Sequence, residues 1–167
     1  VVIGETDGSN AALAKMLAVA GGQTAPLSGN PEGYVIKCWS ATGQTRVALL
    51  GNTPTGSMYS AFTFLQLLKR EAGGVQIPAA TIRDEPILKT RGWSGPLARS
   101  DWKNPTLLDW MAQCRINMTY IEYHGWTNTF FDPSTFPPET ANLIKECHRR
   151  GIKIYAIVGV LGLNEEA

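Results

Sequence analysis

The chain has 167 residues, a formal net charge of +1, 44% hydrophobic and 17% charged residues, the composition of one or two small globular domains. A charge this near zero offers no electrostatic footprint for nucleic acid, and no apolar run approaches the ~20 residues that a membrane helix needs. Cys38, Cys114 and Cys147 are odd in number and far apart, so they outline neither a disulfide framework nor a metal set, and packed thiols are the reading. Cys147 and His148 are adjacent, point to different helix faces and make a poor metal site. No metal and no cofactor are expected.

Val1-Val2-Ile3-Gly4 is a short apolar run closed by Gly, an expected edge strand. From Ala11 to Ala20, Leu13, Met16, Leu17 and Ala20 fall at helical spacing, and Gly21-Gly22 stops the helix. The runs Tyr34 to Trp39 and Thr45 to Gly51, joined around Ala41-Thr42-Gly43-Gln44, predict a hairpin with a longer loop. Gly51-Asn52-Thr53-Pro54-Thr55-Gly56-Ser57 has the two glycines of a phosphate loop, but Ser57 stands where that motif needs Lys. A strand-to-helix turn with Ser57 near the helix cap fits better. Met58 to Arg70 is the clearest helix, with Phe62, Leu65 and Leu68 on one side and Tyr59, Phe64 and Leu67 beside them. Lys69-Arg70 and Gly73-Gly74 supply its stop signals. Val75 to Ile82 reads as one extended segment in which Pro78 favours an edge. These pieces assemble most economically as an antiparallel or mixed sheet with helices on one face.

Between Thr81 and Trp93 the pattern changes. Leu88 to Trp93 reads as a strand, Gly95 to Lys103 as a loop, and Asn104-Pro105 opens a helix running to Arg115 with Leu107, Leu108, Met111 and Ala112 inward. A strand at Asn117 to Tyr123, an aromatic-rich loop from Trp126 to Pro138 and a helix from Glu139 to Arg150 follow. The last strand, Ile152 to Gly159, is nearly continuous in apolar residues, as one buried on both faces should be. This is a βαβαβ unit, in which crossovers are right-handed and ligands gather beyond the strand C-terminal ends. It is either a small open sheet or part of something larger.

Several segments form an ordered set: Pro31-Glu32-Gly33-Tyr34-Val35-Ile36, Asn52 to Ala61 with Phe64-Leu65-Gln66-Leu67-Leu68, Ile77-Pro78-Ala79, Asp84-Glu85-Pro86, and Arg91-Gly92 five residues beyond that Pro. The set resembles the family-20 β-N-acetylhexosaminidases around the join between their second domain and their catalytic barrel. The resemblance implies an α+β accessory domain over 1–85 and the N-terminal part of a (β/α)₈ TIM barrel over 86–167. Pro96 takes the place of the family's Asp after strand one, and Glu122-Tyr123-His124-Gly125 does not reproduce its His-x-x-Asp. Asn117 to Tyr123 is closer to family-84 and hyaluronidase-like enzymes. The resemblance is therefore to the hexosaminidase-like superfamily as a whole.

What it implies chemically is substrate-assisted retaining hydrolysis of N-acetylhexosaminides, outside the two-carboxylate nucleophile scheme. The acid and its partner carboxylate follow barrel strand four in these enzymes. No catalytic residue is expected within the segment, and no turnover by it alone. The resemblance leaves substrate holding: Arg91 matches the family's arginine on sugar hydroxyls, a task a guanidinium fork suits. Glu122 and His124 fall at the end of strand two, and Trp93, Trp126, Phe130 and Phe131 could stack on sugar rings. The plainer alternatives are an Arg91 anchored through Asp84, a solvated or Arg-paired Glu122, a loop His124 bonded near Trp126, and aromatics that cover core.

The implied partner is a glycan, with neither nucleic acid nor membrane, and the implied location is extracellular or periplasmic. The unpaired edge from Ile152 to Val160 invites pairing with another copy. Two competing readings stand: another two-domain carbohydrase such as an α-glucuronidase, and a non-catalytic carbohydrate-binding or scaffold module.

Overall fold

A computed structural model describes residues 1–5, 11, 15, 29–95, 97–123 and 138–158. It divides into two compact units, Val1–Lys89 and Thr90–Ala167.

The first unit is built on the hairpin of β2 (Tyr34–Ala41) and β3 (Gln44–Gly51), paired antiparallel from Tyr34↔Gly51 to Ala41↔Gln44. The turn is tighter than its sequence suggests. Thr42 (φ 53°) and Gly43 (φ 73°) are both left-handed, the two-residue geometry whose twist matches the strands. β1 (Val2–Glu5) joins β3 in parallel and β6 (Ala80–Asp84) joins β2 antiparallel, giving a mixed sheet in the order β1-β3-β2-β6. Strand alternation then sorts the side chains. Tyr34, Ile36, Cys38, Val47 and Leu49 share one buried face with Tyr59 and Phe64 of α1 (Pro54–Leu67), while Val35, Ala48 and Leu50 lie on the other.

Helix α1 departs from expectation at both ends and in its face. Thr53, not Ser57, caps it: the Gly56 N–H donates to Thr53 Oγ1, and Pro54 occupies the first turn, where a missing N–H costs nothing. The buried residues are Gly56, Ser57, Tyr59, Ser60 and Phe64, whereas Leu65 is 59% exposed. Apolar residues run all round this helix, so hydrophobicity alone does not choose a face. The serines can be buried because each hydroxyl has an acceptor, Ser57 Oγ on Gly4 O (2.8 Å) and Ser60 Oγ on Ser57 O (2.7 Å). Lys69 and Arg70 do not end the helix. They open β4 (Lys69–Glu71), which pairs with β5 (Gly74–Gln76) around Gly73 (φ 99°). The expected single extended segment is thereby split, β6 starting only after Pro78. The helix expected over Ala11 to Ala20 lies largely outside the described residues.

In the second unit a 3₁₀ turn (Arg99–Lys103) precedes α2 (Pro105–Gln113), β7 (Met118–Tyr123), α3 (Pro138–Arg149) and β8 (Lys153–Val158). β7 and β8 run parallel, from Met118↔Lys153 to Tyr123↔Val158. Leu97, Leu108, Met111, Ile121, Leu143, Cys147 and Ile152 form the core between strands and helices. The strand expected over Leu88 to Trp93 contracts to one parallel bridge, Gly92↔Met118, and Leu88 is 67% exposed. The bridge falls on Met118, the first residue of β7. Nor is β8 covered on both faces: Lys153 is exposed and Tyr155 is 52% exposed.

Arg150 fastens α3 to α2. Its Nε donates to Asp109 Oδ1 (2.6 Å) and its Nη1 to Glu146 Oε2 (2.7 Å) and Glu146 O (3.0 Å), which is why a charged side chain is tolerated when buried. Hydrogen bonding from Arg150 holds the Glu146 carboxyl below its usual range. A lowered folded-state pKa stabilises at pH above the ordinary carboxylate range and stops doing so as pH falls through the folded value. Arg150→Met is therefore expected to flatten the acid-side loss of thermal stability, measured as melting temperature between about pH 3 and 6, a window set around the ordinary Glu pKa.

Burial raises the Cys38 thiol and pushes that of Cys147 up to about 12, while Cys114 is exposed. Iodoacetamide at neutral pH is expected to alkylate Cys114 and leave Cys38 and Cys147 unmodified until the fold opens, as read by peptide mass spectrometry.

Candidate functional site

The glycine loop resolves as packing. A Cβ on Gly51 would stand 2.0 Å from Ser57 N, and one on Gly56 would stand 2.5 Å from Gly33 O and 3.3 Å from Pro31 O. The start of α1 is filled by the chain itself: Thr53 Oγ1 donates to Pro31 O (2.6 Å), Asn52 N to Gly33 O (3.0 Å) and Asn52 Nδ2 to Asn30 O (2.7 Å). The close approach of these backbones requires glycine.

The same corner ties down the end of the unit. Asn30 Nδ2 donates to Pro86 O (3.0 Å). Tyr34, fully buried, donates its hydroxyl to Asp84 Oδ2 (2.7 Å) and lies 2.8 Å from Thr63 Oγ1. The Tyr of Glu-Gly-Tyr and the Asp of Asp-Glu-Pro, fifty positions apart, are thus one contact.

In the second unit, Arg91 lies at the N-terminal end of the parallel ladder. Its N–H donates to Asn117 Oδ1 (2.8 Å), its carbonyl accepts from Asn117 N (3.0 Å), and its Nε donates to Arg115 O (2.6 Å). A Cβ on Gly92 would meet Met118 Cε at 2.8 Å, so Gly92 shares the face of Met118. Alternation sends Arg91 and Trp93 to the opposite, helix-covered side. Trp93 packs against the core there, edge-on to Trp110 of α2 at 5.3 Å and 84°. Its indole also covers Gly95, where a Cβ would be 2.6 Å from Nε1.

Glu122 sits one residue from the C-terminal end of β7, in register with Ile157. His124 and Trp126, with Phe130 and Phe131, lie outside the described residues. The structure therefore brings Arg91 and Trp93 to one side of the first strand position and Glu122 to the far end of β7.

Asn117 has a role that the sequence did not signal. It is 7% exposed; its side chain receives Arg91 N and its carbonyl receives Lys153 N (2.9 Å). One residue thus joins the first strand position, β7 and β8. Among the described residues, no group of three or more His, Cys, Asp or Glu could hold a metal ion, and no helix is long and apolar enough to cross a membrane.

The comparison with known families bears on the first unit. Residues 5–85 match the model described as glycosyl hydrolase family 20, domain 2. The match covers just under half of the chain. The fold of the chain is similar to three solved structures. CpGH84B aligns at 18% identity over 92% of this chain and 27% of that one, with a TM-score of 0.64. The Flavobacterium johnsoniae chitobiase aligns at 20% identity over 76% and 21%, with a TM-score of 0.60. The β-N-acetylhexosaminidase from Bacteroides fragilis aligns at 20% identity over 76% and 30%, with a TM-score of 0.55. The chain spans about a quarter of the length of these proteins. No curated protein sequence matches it. The resemblance to hexosaminidase-like glycoside hydrolases that the sequence motifs carry is borne out.

Within the matched residues, the glycines and the Tyr34–Asp84 contact have a physical meaning. They build the corner where β3 turns into α1, and they fasten the end of β6 beside it.

Proposed function

We propose that the chain is the front portion of a glycoside hydrolase acting on N-acetylhexosaminides: the accessory domain followed by the first three strand positions of a (β/α)₈ barrel. The observation that carries this reading is the match of residues 5–85 to family 20, domain 2, followed along the chain by parallel strands with a helix between them. The parallel order Gly92, β7, β8 and the uncovered Tyr155 face support it, because a barrel turns that face inward. On this reading Glu122, His124 and Trp126 serve the sugar at the C-terminal ends of the strands, where barrel sites gather. Arg91 and Trp93 brace the first strand behind them, and Arg91 meets sugar only by reaching past the ladder. The carboxylate pair of the substrate-assisted reaction comes from a later strand.

The test is direct. The purified 167-residue chain is expected to give no release of nitrophenol from a chromogenic N-acetylglucosaminide. Turnover by it would refute the placement of the catalytic pair. Titration of tryptophan fluorescence with N-acetylglucosamine separates the non-catalytic alternative, which requires saturable binding by the chain itself.

A further inference from the structure

Beyond the Gly92↔Met118 bridge, the chain stays beside β7 but falls out of step with it. Trp93 N donates to Met118 O (2.9 Å), and Leu97 N donates to Tyr120 O (3.0 Å). From Trp93 to Leu97 is four positions, from Met118 to Tyr120 only two, whereas a regular parallel ladder steps evenly on both sides. The surplus is looped out between Trp93 and Leu97. This loop-out is held from two sides. Thr119 and Ile121 are buried toward the core, so alternation puts Tyr120 on the other face of β7. From there its hydroxyl donates to Ser94 O (2.6 Å). From the core side the Trp93 indole lies on Gly95, where a Cβ would stand 2.6 Å from Nε1 and 3.1 Å from Cε2. Between the two clamps, Ser94 is exposed.

Extra residues at the end of a strand re-aim side chains, and they recur at barrel rims and beside active sites. A tyrosine hydroxyl bonded to the carbonyl of an exposed serine adds little to the core. What it does is fix where that serine stands. We infer that Ser94 is a sugar-contacting residue, its hydroxyl bonded to a ring hydroxyl of an N-acetylhexosamine unit, and that Tyr120 is the residue that positions it. This rests on the glycoside hydrolase reading above, which puts the site at the C-terminal ends of the strands. Ser94 lies at that end of the first strand position, beside Tyr120 and two positions short of the level of Glu122. A serine hydroxyl both donates and accepts, as a sugar hydroxyl does. A short side chain on a clamped backbone can therefore meet it in one fixed geometry.

The test uses a polypeptide that carries these residues in a complete barrel, with a chromogenic N-acetyl-β-glucosaminide as substrate. Ser94→Ala is expected to raise KM about ten-fold, the size of one hydrogen bond, and to leave kcat within about two-fold. Its melting temperature is expected to stay unchanged, because Ser94 is exposed. Tyr120→Phe is expected to raise KM by a smaller factor, about five-fold, again with little change in kcat. Because Tyr120 acts through Ser94, the double variant is expected to match Ser94→Ala alone. An unchanged KM for Ser94→Ala in an otherwise active enzyme overturns the inference, and this variant decides the matter alone if Tyr120→Phe does not fold. Losses that multiply in the double variant overturn the positioning role, since Tyr120 then acts independently of Ser94. An unmodified polypeptide that leaves the substrate uncut refutes the glycoside hydrolase reading itself, and this inference falls with it.

Discussion

Gly51→Ala is expected to cost the first unit at least ~3 kcal/mol, enough to abolish a cooperative melt in a marginally stable domain. The added Cβ would meet Ser57 N at 2.0 Å, Gly56 C at 2.4 Å and Thr53 O at 2.7 Å, all of them backbone. No side chain can swing aside to relieve this contact. The only escape is to move the first turn of α1, which would break the Thr53 cap and the Ser57 bond to Gly4 O. Gly43→Ala is the comparison: nothing lies within 4 Å of its Cβ, and only its left-handed φ of 73° is strained, so a loss of about 1 kcal/mol is expected. Urea unfolding followed by far-ultraviolet circular dichroism distinguishes the two. If Gly51→Ala unfolds at the same urea concentration as the unmodified protein, the packing account of this loop fails.

Tyr34→Phe is the second large effect, about 2 kcal/mol of lost stability and a fall of roughly 10 °C in the melting temperature for a unit of this size. The ring stays and its packing with it. What is lost is the hydroxyl that a buried side chain shares between the Asp84 carboxylate and the Thr63 hydroxyl. Removing one partner leaves the others with polar atoms whose water was given up on folding. Asp84→Asn is expected to cost less, because an amide oxygen still accepts from Tyr34. Differential scanning calorimetry on the two variants reads this order directly, and equal losses would show that charge on Asp84, not the bond, matters.

These two corners show what local sequence conveys. The runs Tyr34–Ala41 and Gln44–Gly51 are legible because both faces of the hairpin are buried over much of its length, which keeps the two runs apolar around a Gly-containing turn. β7 and β8 are legible as short apolar runs set on either side of a helix pattern, and the Pro at the start of α2 marks its helix through a missing N–H. Gly51 and Gly56 are conspicuous in the sequence, but their spacing suggests a ligand loop. The actual reason is contact with Pro31 and Gly33, and no local pattern encodes that contact. The buried face of α1 departs from hydrophobic spacing because Ser57 and Ser60 are buried with satisfied hydroxyls while Leu65 is exposed. Hydrophobic spacing cannot anticipate a buried serine. At the candidate site, Glu-Gly-Tyr and Asp-Glu-Pro were visible as separate pieces, and only folding joins them as Tyr34–Asp84. The shortening of the first strand to Gly92 turns on Asn117, a polar residue that a strand pattern treats as an end signal. Its side chain and backbone both meet Arg91, which fixes the side to which Arg91 and Trp93 turn.

The central proposal is the hexosaminidase-like activity of the polypeptide to which the two units belong. The most direct measurement is the activity of a polypeptide that continues these 167 residues through a complete barrel, assayed on a chromogenic N-acetyl-β-glucosaminide beside the matching glucoside. Release from the acetamido substrate with none from the glucoside is the predicted result, since in the proposed substrate-assisted reaction the acetamido oxygen would supply the attacking group. Equal release from both, or from a glucuronide alone, would contradict it.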